Sequence, residues 1–276
     1  MVATLTNVLP GGRPAHAGAP AGFNLRNVGF RIGEHELLRD ISVGLEHAQV
    51  YGLIGHNGSG KTTLMKLLAR QNTPSEGKIA FADRDLAAWP QRTFAREVAY
   101  MAQRLPDATG LTVSELAALG RYPWHGALGR FEQGDRERVQ EALTLTHMDS
   151  LADRLVDTLS GGERQRAWLA MLLAQDSRCI LLDEPIAALD VAHQVEVMQL
   201  VVQLCRQRQL TVVVVMHDIN LAARFCDQLI ALHSGRLVAQ GPPDDVVQPQ
   251  VLERVYGVQM GVIDHPEKAI PLCYVV

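Results

Sequence analysis

Gly55-His56-Asn57-Gly58-Ser59-Gly60-Lys61-Thr62 has the spacing G-x-x-x-x-G-K-[ST], the pattern of a loop whose backbone amides wrap a phosphate. The apolar run Val50–Ile54 leads in as a strand, and residues 63–68 lead out as a helix. Amides of such a loop point inward, and the start of the following helix adds partial positive charge. Gly55, Gly58 and Gly60 let the backbone come close to a phosphate where a Cβ would intervene. Lys61 then reaches the outer phosphates, and the Thr62 hydroxyl is placed to hold Mg²⁺. His56, Asn57, Ser59 and Thr63 complete the cradle. Strand, loop and helix in this order predict an α/β core.

The bulk of the chain agrees with that core. Its 276 residues suffice for one large domain or two intimate ones. With 47% hydrophobic and 20% charged residues, it reads as an ordinary globular protein. A net charge of −4 argues against broad capture of nucleic acid, which calls for a basic face. No apolar run approaches the ~18 residues of a membrane helix, so any transport pore belongs to another chain. The cysteines at 179, 205, 226 and 273 show no C-x-x-C spacing, hence no metal or redox signature, and reduced cytosolic thiols are expected. Cys179 reads as a buried small hydrophobe. Residues 1–22 are rich in Gly, Pro and Ala and lack the pattern of a signal peptide, so a loose N-terminal tail is expected.

Along the chain, Phe23, Leu25, Val28, Phe30 and Ile32 alternate with one slip, as a bulged strand does. Residues 37–45 continue the strand pattern, 73–77 form a turn, and Lys78 to Phe81 and Val98–Met101 read as short strands. From about Leu111 to Leu159 the character becomes helical: Thr112 or Ser114 can cap one amphipathic segment, and Val139, Ala142 and Leu143 recur at helical spacing in another. Strand and helix then alternate again to about His233. There is no internal repeat, so each chain carries one nucleotide half-site.

Four further groups surround the loop. Cys179-Ile-Leu-Leu182 is a buried parallel strand ending in Asp183 and Glu184. Ligands in open α/β sheets sit beyond the carboxyl ends of strands, so both acids face the phosphates. Asp183 would orient the Mg²⁺ shell, and Glu184 would polarise the attacking water. Ser160-Gly161-Gly162-Glu163 opens a long helix and offers a hydroxyl and bare amides to an anion, though it is equally a good N-cap. Gln103 follows the Val98–Met101 strand, where it could ligate Mg²⁺ or the water. His217 stands at the end of the 211–216 strand, beside Asp218, and points at the same crevice.

In order, these residues resemble an ATP-binding cassette (ABC) transporter ATPase: the phosphate loop, Gln103, the LSGGE signature at 159–163, the Asp183–Glu184 strand, Asp190 of the D-loop and His217 of the switch. The resemblance implies a cassette over 23–247 with a mainly parallel core sheet, an antiparallel β subdomain and a helical insertion at about 104–165, followed by an extension at 248–276. It also implies that two copies pack head to tail, with Ser160, Gly161, Gly162, Glu163 and Asp190 of one meeting the nucleotide of the other. ATP and Mg²⁺ would be the cofactors, and Phe30 would stack on adenine. Ile186-Ala187 stands where the family often has Thr-Ser, which removes two hydroxyls near the dimer seam.

The block from Gly120 to Phe131, together with Leu159 to Asp176 and Met216 to Arg224, resembles the ATPases of ferric hydroxamate (ferrichrome-type) siderophore importers. That implies a peripheral subunit at the cytoplasmic face of the bacterial inner membrane, with a permease and, indirectly, a substrate-binding protein as partners. Haem or cobalamin import is the alternative. A soluble cassette ATPase of DNA repair or translation fits less well, because the chain has one cassette, no sustained heptads and an acidic balance. An inactive regulatory module would be expected to lose Glu184 or His217, and both are present.

Overall fold

The computed structural model describes residues 21–126 and 129–276. The expected tail falls almost wholly outside the described residues, as do two positions, 127 and 128, of the block ending at Phe131.

Six strands form the central sheet, in the order Arg236–Gly241, Gln228–His233, Val50–Ile54, Thr211–Val215, Cys179–Leu182, Val98–Met101. All but the first run parallel; Arg236–Gly241 pairs antiparallel with Gln228–His233. The register aligns Met101 with Leu182, Leu182 with Val214 and Leu53 with Val215, so the loops that follow these strands leave one edge side by side. Parallel strands are covered on both faces and therefore read as unbroken apolar runs. Period two then decides which side each residue serves. Val50, Ile54, Leu182, Val212 and Val214 join one core, with the helices Gly161–Ala174 and Val191–Arg208. Tyr51, Leu53, Leu181, Val213 and Val215 join the other, with the helix Lys61–Leu68 and a second sheet.

That second sheet is antiparallel, in the order His35–Leu45, Phe23–Ile32, Glu76–Phe81, Arg84–Asp85. The slip in the Phe23–Ile32 pattern is a real irregularity: the register shifts between Leu25 and Val28, with Asn27 at φ 50°. The inserted residue lets Leu25 and Val28 both face the core.

Helices Val113–Leu119, Tyr122–His125 and Gln133–Leu145 follow the strand Val98–Met101. Helix Gly161–Ala174 packs against the first and third of them and against that strand, so it ties the helical layer to the sheet. It begins at Gly161, where Ser160 and Glu163 close a reciprocal capping box. Thr112 and Glu115 do the same for Val113–Leu119, so of the two candidate caps it is Thr112 that serves.

The C-terminal stretch, opaque in the sequence, is structured. Helices Pro243–Val246 and Pro249–Tyr256 precede a hairpin of Met260–Asp264 with Pro271–Val275. Leu252, Val255 and Cys273 enter the larger core. All four cysteines are free and buried, Cys179 among them. Ile186 is buried as well, so only Ala187 of the Ile186-Ala187 pair is at the surface.

Candidate active site

The shared edge of the parallel sheet collects the phosphate loop, Gln103, the Asp183–Glu184 pair and His217. The loop itself is tightly held. A Cβ on Gly55 would lie 2.3 Å from the Leu232 carbonyl oxygen. At Gly58, φ is +80° and an added Cβ would meet nothing within 4 Å, so the loop is open on that side. The amide of Gly235 donates to the Ser59 carbonyl at 3.1 Å, buttressing the loop from the turn after Gln228–His233. Lys61 Nζ donates to the carbonyls of Gly55 at 2.7 Å and His56 at 3.0 Å, which aims the side chain back across the loop. Burial draws its ammonium below the usual lysine range, against the opposing pull of Glu184 and Asp183.

Two observations show that these residues fit a bound phosphate. Helix Lys61–Leu68 starts without a side-chain cap, leaving its first amides for a ligand. The Ser59 hydroxyl is buried with no hydrogen-bond partner. A buried unsatisfied group of this kind costs about 1–3 kcal/mol, which a partner would recover.

Asp183 is 1% exposed. Burial pushes its carboxyl up; Thr62 opposes this, Glu184 reinforces it, and Tyr100 opposes it again. Thr62 Oγ1 donates to Oδ1 at 3.3 Å, and the Tyr100 hydroxyl lies 3.4 Å from Oδ2. Two long, weak donors leave a buried carboxylate poorly compensated, the environment a cation would relieve. The sequence reading missed Tyr100. Its signal was a phenol in a buried parallel strand, where the O–H needs a partner.

Glu184 has φ 55°, a strained value for a residue with a Cβ. The turn separates its side chain from that of Asp183 and delivers it to His217, whose Nε2 lies 2.7 Å from Oε1. Gln103 Nε2 donates to the other oxygen at 2.8 Å. Gln103 was expected to ligate a metal or the water; its amide nitrogen also holds Glu184. A carboxylate gripped on both oxygens is aimed, which a general base requires.

Ser160 accepts from the Glu163 amide at 3.3 Å, and the Glu163 carboxylate accepts from the Ser160 amide at 2.9 Å. The Ser-Gly-Gly motif is therefore a true N-cap as well as a candidate anion site. Gly161 lines a cavity of about 550 Å³ together with Gln103, Glu184, Arg164 and Leu189, and no residue of the phosphate loop reaches it. Gly162 packs close to His193: a Cβ there would stand 2.6 Å from His193 Cδ2, and the ring would have to shift. Asp190 caps Val191–Arg208, accepting from the His193 amide at 3.0 Å, with His193 Nδ1 2.8 Å away. These hydrogen bonds hold its carboxyl below the usual range. Phe30 is half-buried and packs against the core beneath the antiparallel sheet.

The family model for the ABC transporter matches residues 38–187, more than half the chain, from within the strand His35–Leu45 to just past Glu184. The chain belongs to the ABC transporter family.

The cassette is 39% identical over 240 residues to the ferric enterobactin transport ATP-binding protein FepC of Escherichia coli (strain K12), covering 87% of this chain and 89% of that one. It is 34% identical over 246 residues to the iron(3+)-hydroxamate import ATP-binding protein FhuC of Bacillus subtilis (strain 168), covering 89% and 91%. Among solved structures, the dimeric cassette MJ0796, from a bacterial ABC transporter, superposes with a TM-score of 0.69 at 27% identity, over 80% of this chain and 98% of that one. The fold is thus the cassette fold, and the chain is an ATP-binding ATPase. ABC ATPases of import systems work as dimers with membrane permease partners. Among the described residues, no helix of this cassette is long and apolar enough to cross a membrane.

Proposed function

We propose that this cassette powers the import of an iron–siderophore complex, of ferric hydroxamate type, through a separate permease. It would act as a head-to-tail homodimer on the cytoplasmic face of the bacterial inner membrane, supplied by a substrate-binding protein. The observation that supports the dimer is that the cavity reached by Gly161 is lined by Gln103, Asp183 and Glu184 but by no residue of the phosphate loop, which leaves the signature of one chain open to the loop of another. Cargo rests on the relatives, whose names attach them to ferric enterobactin transport and iron(3+)-hydroxamate import.

In this reading the loop from Gly55 to Thr63 binds the phosphates and Phe30 stacks on adenine. Mg²⁺, when bound, neutralises phosphate charge. Thr62 and Asp183 would hold it, with Gln103 at its edge. A Mg²⁺ ion in such a site takes most of its ligands from phosphate and water. Glu184 accepts the proton of the attacking water, His217 and Gln103 keep it aimed, and Ser160 to Glu163 and Asp190 of the second copy close the site. Positioning and charge neutralisation are what phosphoryl transfer needs.

Deleting the gene and measuring uptake of labelled ferrichrome, haem and cobalamin tests the cargo. Loss of ferrichrome uptake alone is expected. Loss of haem or cobalamin uptake with ferrichrome uptake intact would overturn the assignment.

A further inference from the structure

The hairpin that ends the chain is fastened to the element behind His217. Asn220 sits in the first turn of helix Ile219–Phe225, whose N-cap is Asp218. Its side-chain amide pairs with the backbone of one residue in the last strand: Nδ2 donates to the Cys273 carbonyl at 3.1 Å, and Oδ1 accepts from the Cys273 amide at 2.8 Å. Such a pair fixes both distance and orientation, as a rung of a β ladder does. Cys273 is buried, and Met260 and Val262 pack beside it against the main core, so the anchor is not a loose tail. The preceding helix is pinned too, because His233 Nδ1 lies 2.9 Å from the Val255 carbonyl. His233 in turn packs edge-on against His56 of the phosphate loop, with ring centres 4.7 Å apart.

From these contacts we infer that the C-terminal segment 248–276 is a positioning strap, in which Asn220, held by the Cys273 backbone, keeps His217 on Glu184. Asn220 acts through the helix Ile219–Phe225, which starts directly after Asp218, the neighbour of His217. This inference rests on the catalytic reading of His217 and Glu184 given above.

The test is a double-mutant cycle on the full chain, reading ATPase kcat and KM separately. Asn220→Ala is expected to lower kcat by about tenfold, below the ~100-fold that a 1 Å misplacement can cost, with KM for ATP unchanged. In a His217→Ala background the same substitution is expected to add little, because the group it positions is already gone. Asn220→Asp keeps the shape and the acceptor for the Cys273 amide. It is expected to show the same pattern and serves if the alanine variant fails to fold. An equal loss in both backgrounds, a change in KM alone, or no change would overturn the strap. Full activity in His217→Ala itself would overturn the catalytic reading as well, which separates the two failures.

Discussion

His217 Nε2 lies 2.7 Å from Glu184 Oε1, joining two residues 33 positions apart in sequence (217 − 184) across the ends of two adjacent strands. The imidazole side chain is 43% exposed and the carboxylate 11%. The acid is thus sheltered behind a residue that solvent can reach, which suits a base that must meet a water at the mouth of the site. Glu184→Gln is expected to keep ATP binding, because Thr62 and Asp183 are untouched. Hydrolysis should fall by on the order of 10² or more, the usual scale for a general base. Phosphate release and nucleotide binding measured on the same preparation check this, and near-normal turnover would remove Glu184 from the role.

Asp183 ties stability to pH. Burial raises its carboxyl above the unfolded value, so between the two values the folded chain binds more protons than the unfolded one. Stability then falls as pH rises through that window, and above it the buried charge is a constant cost. Asp183→Asn is expected to raise the thermal midpoint of the nucleotide-free protein at neutral pH by about 2 °C, roughly what 1 kcal/mol does in a chain of this size. The gain should vanish at acid pH, and Mg²⁺-dependent hydrolysis should be lost. A midpoint that drops at neutral pH would show that the charge is compensated after all.

Mixing Lys61→Ala protein with Ser160→Arg protein tests the shared site. In a heterodimer one composite site carries both lesions and the other carries none, so about half of the wild-type activity per dimer is expected if the sites act independently. Neither variant alone should be active. Failure to recover activity with heterodimers proven present would count against head-to-tail sharing.

Trp124, in the block from Gly120 to Phe131, is half-buried and makes its contacts within the chain. Its Nε1 donates to the Gln175 carbonyl at 2.7 Å, and the guanidinium groups of Arg96 and Arg121 each lie 4.8 Å from its ring. Trp124→Ala is therefore expected to destabilise the helical layer by about 2–3 kcal/mol, somewhat under the loss for a fully buried tryptophan. Chemical denaturation would measure it. Tyr122 beside it is 57% exposed and Leu119 53%. Tyr122→Ala is the better permease probe: transport should fall while ATPase activity and the denaturation midpoint hold. Intact transport in Tyr122→Ala cells would remove this face from the permease contact.

Short-range rules made much of the fold legible. The phosphate loop, the caps at Thr112 and Ser160, and the bulge in Phe23–Ile32 each depend on residues a few positions apart. The apolar runs Val50–Ile54, Cys179–Leu182 and Thr211–Val215 carry their own diagnosis, since only strands buried on both faces lack alternation. The C-terminal hairpin stayed hidden, because its two strands carry little patterning and gain their burial from a core assembled by distant segments.

The chemistry of the site divides along the same line. Sequence by itself determined which groups are available, a phosphate-binding loop, two adjacent acids, a glutamine and a histidine, because motif spacing is a local property of the backbone. Only the tertiary structure decided which group holds which. Parallel register brought the loops after Met101, Leu182 and Val215 to one edge, and a left-handed turn at Glu184 sent its carboxylate to His217 and Gln103 while Asp183 stayed buried beside Thr62 and Tyr100. The physical reason is that hydrogen bonds act over about 3 Å, and only folding brings side chains so far apart in the chain within that reach.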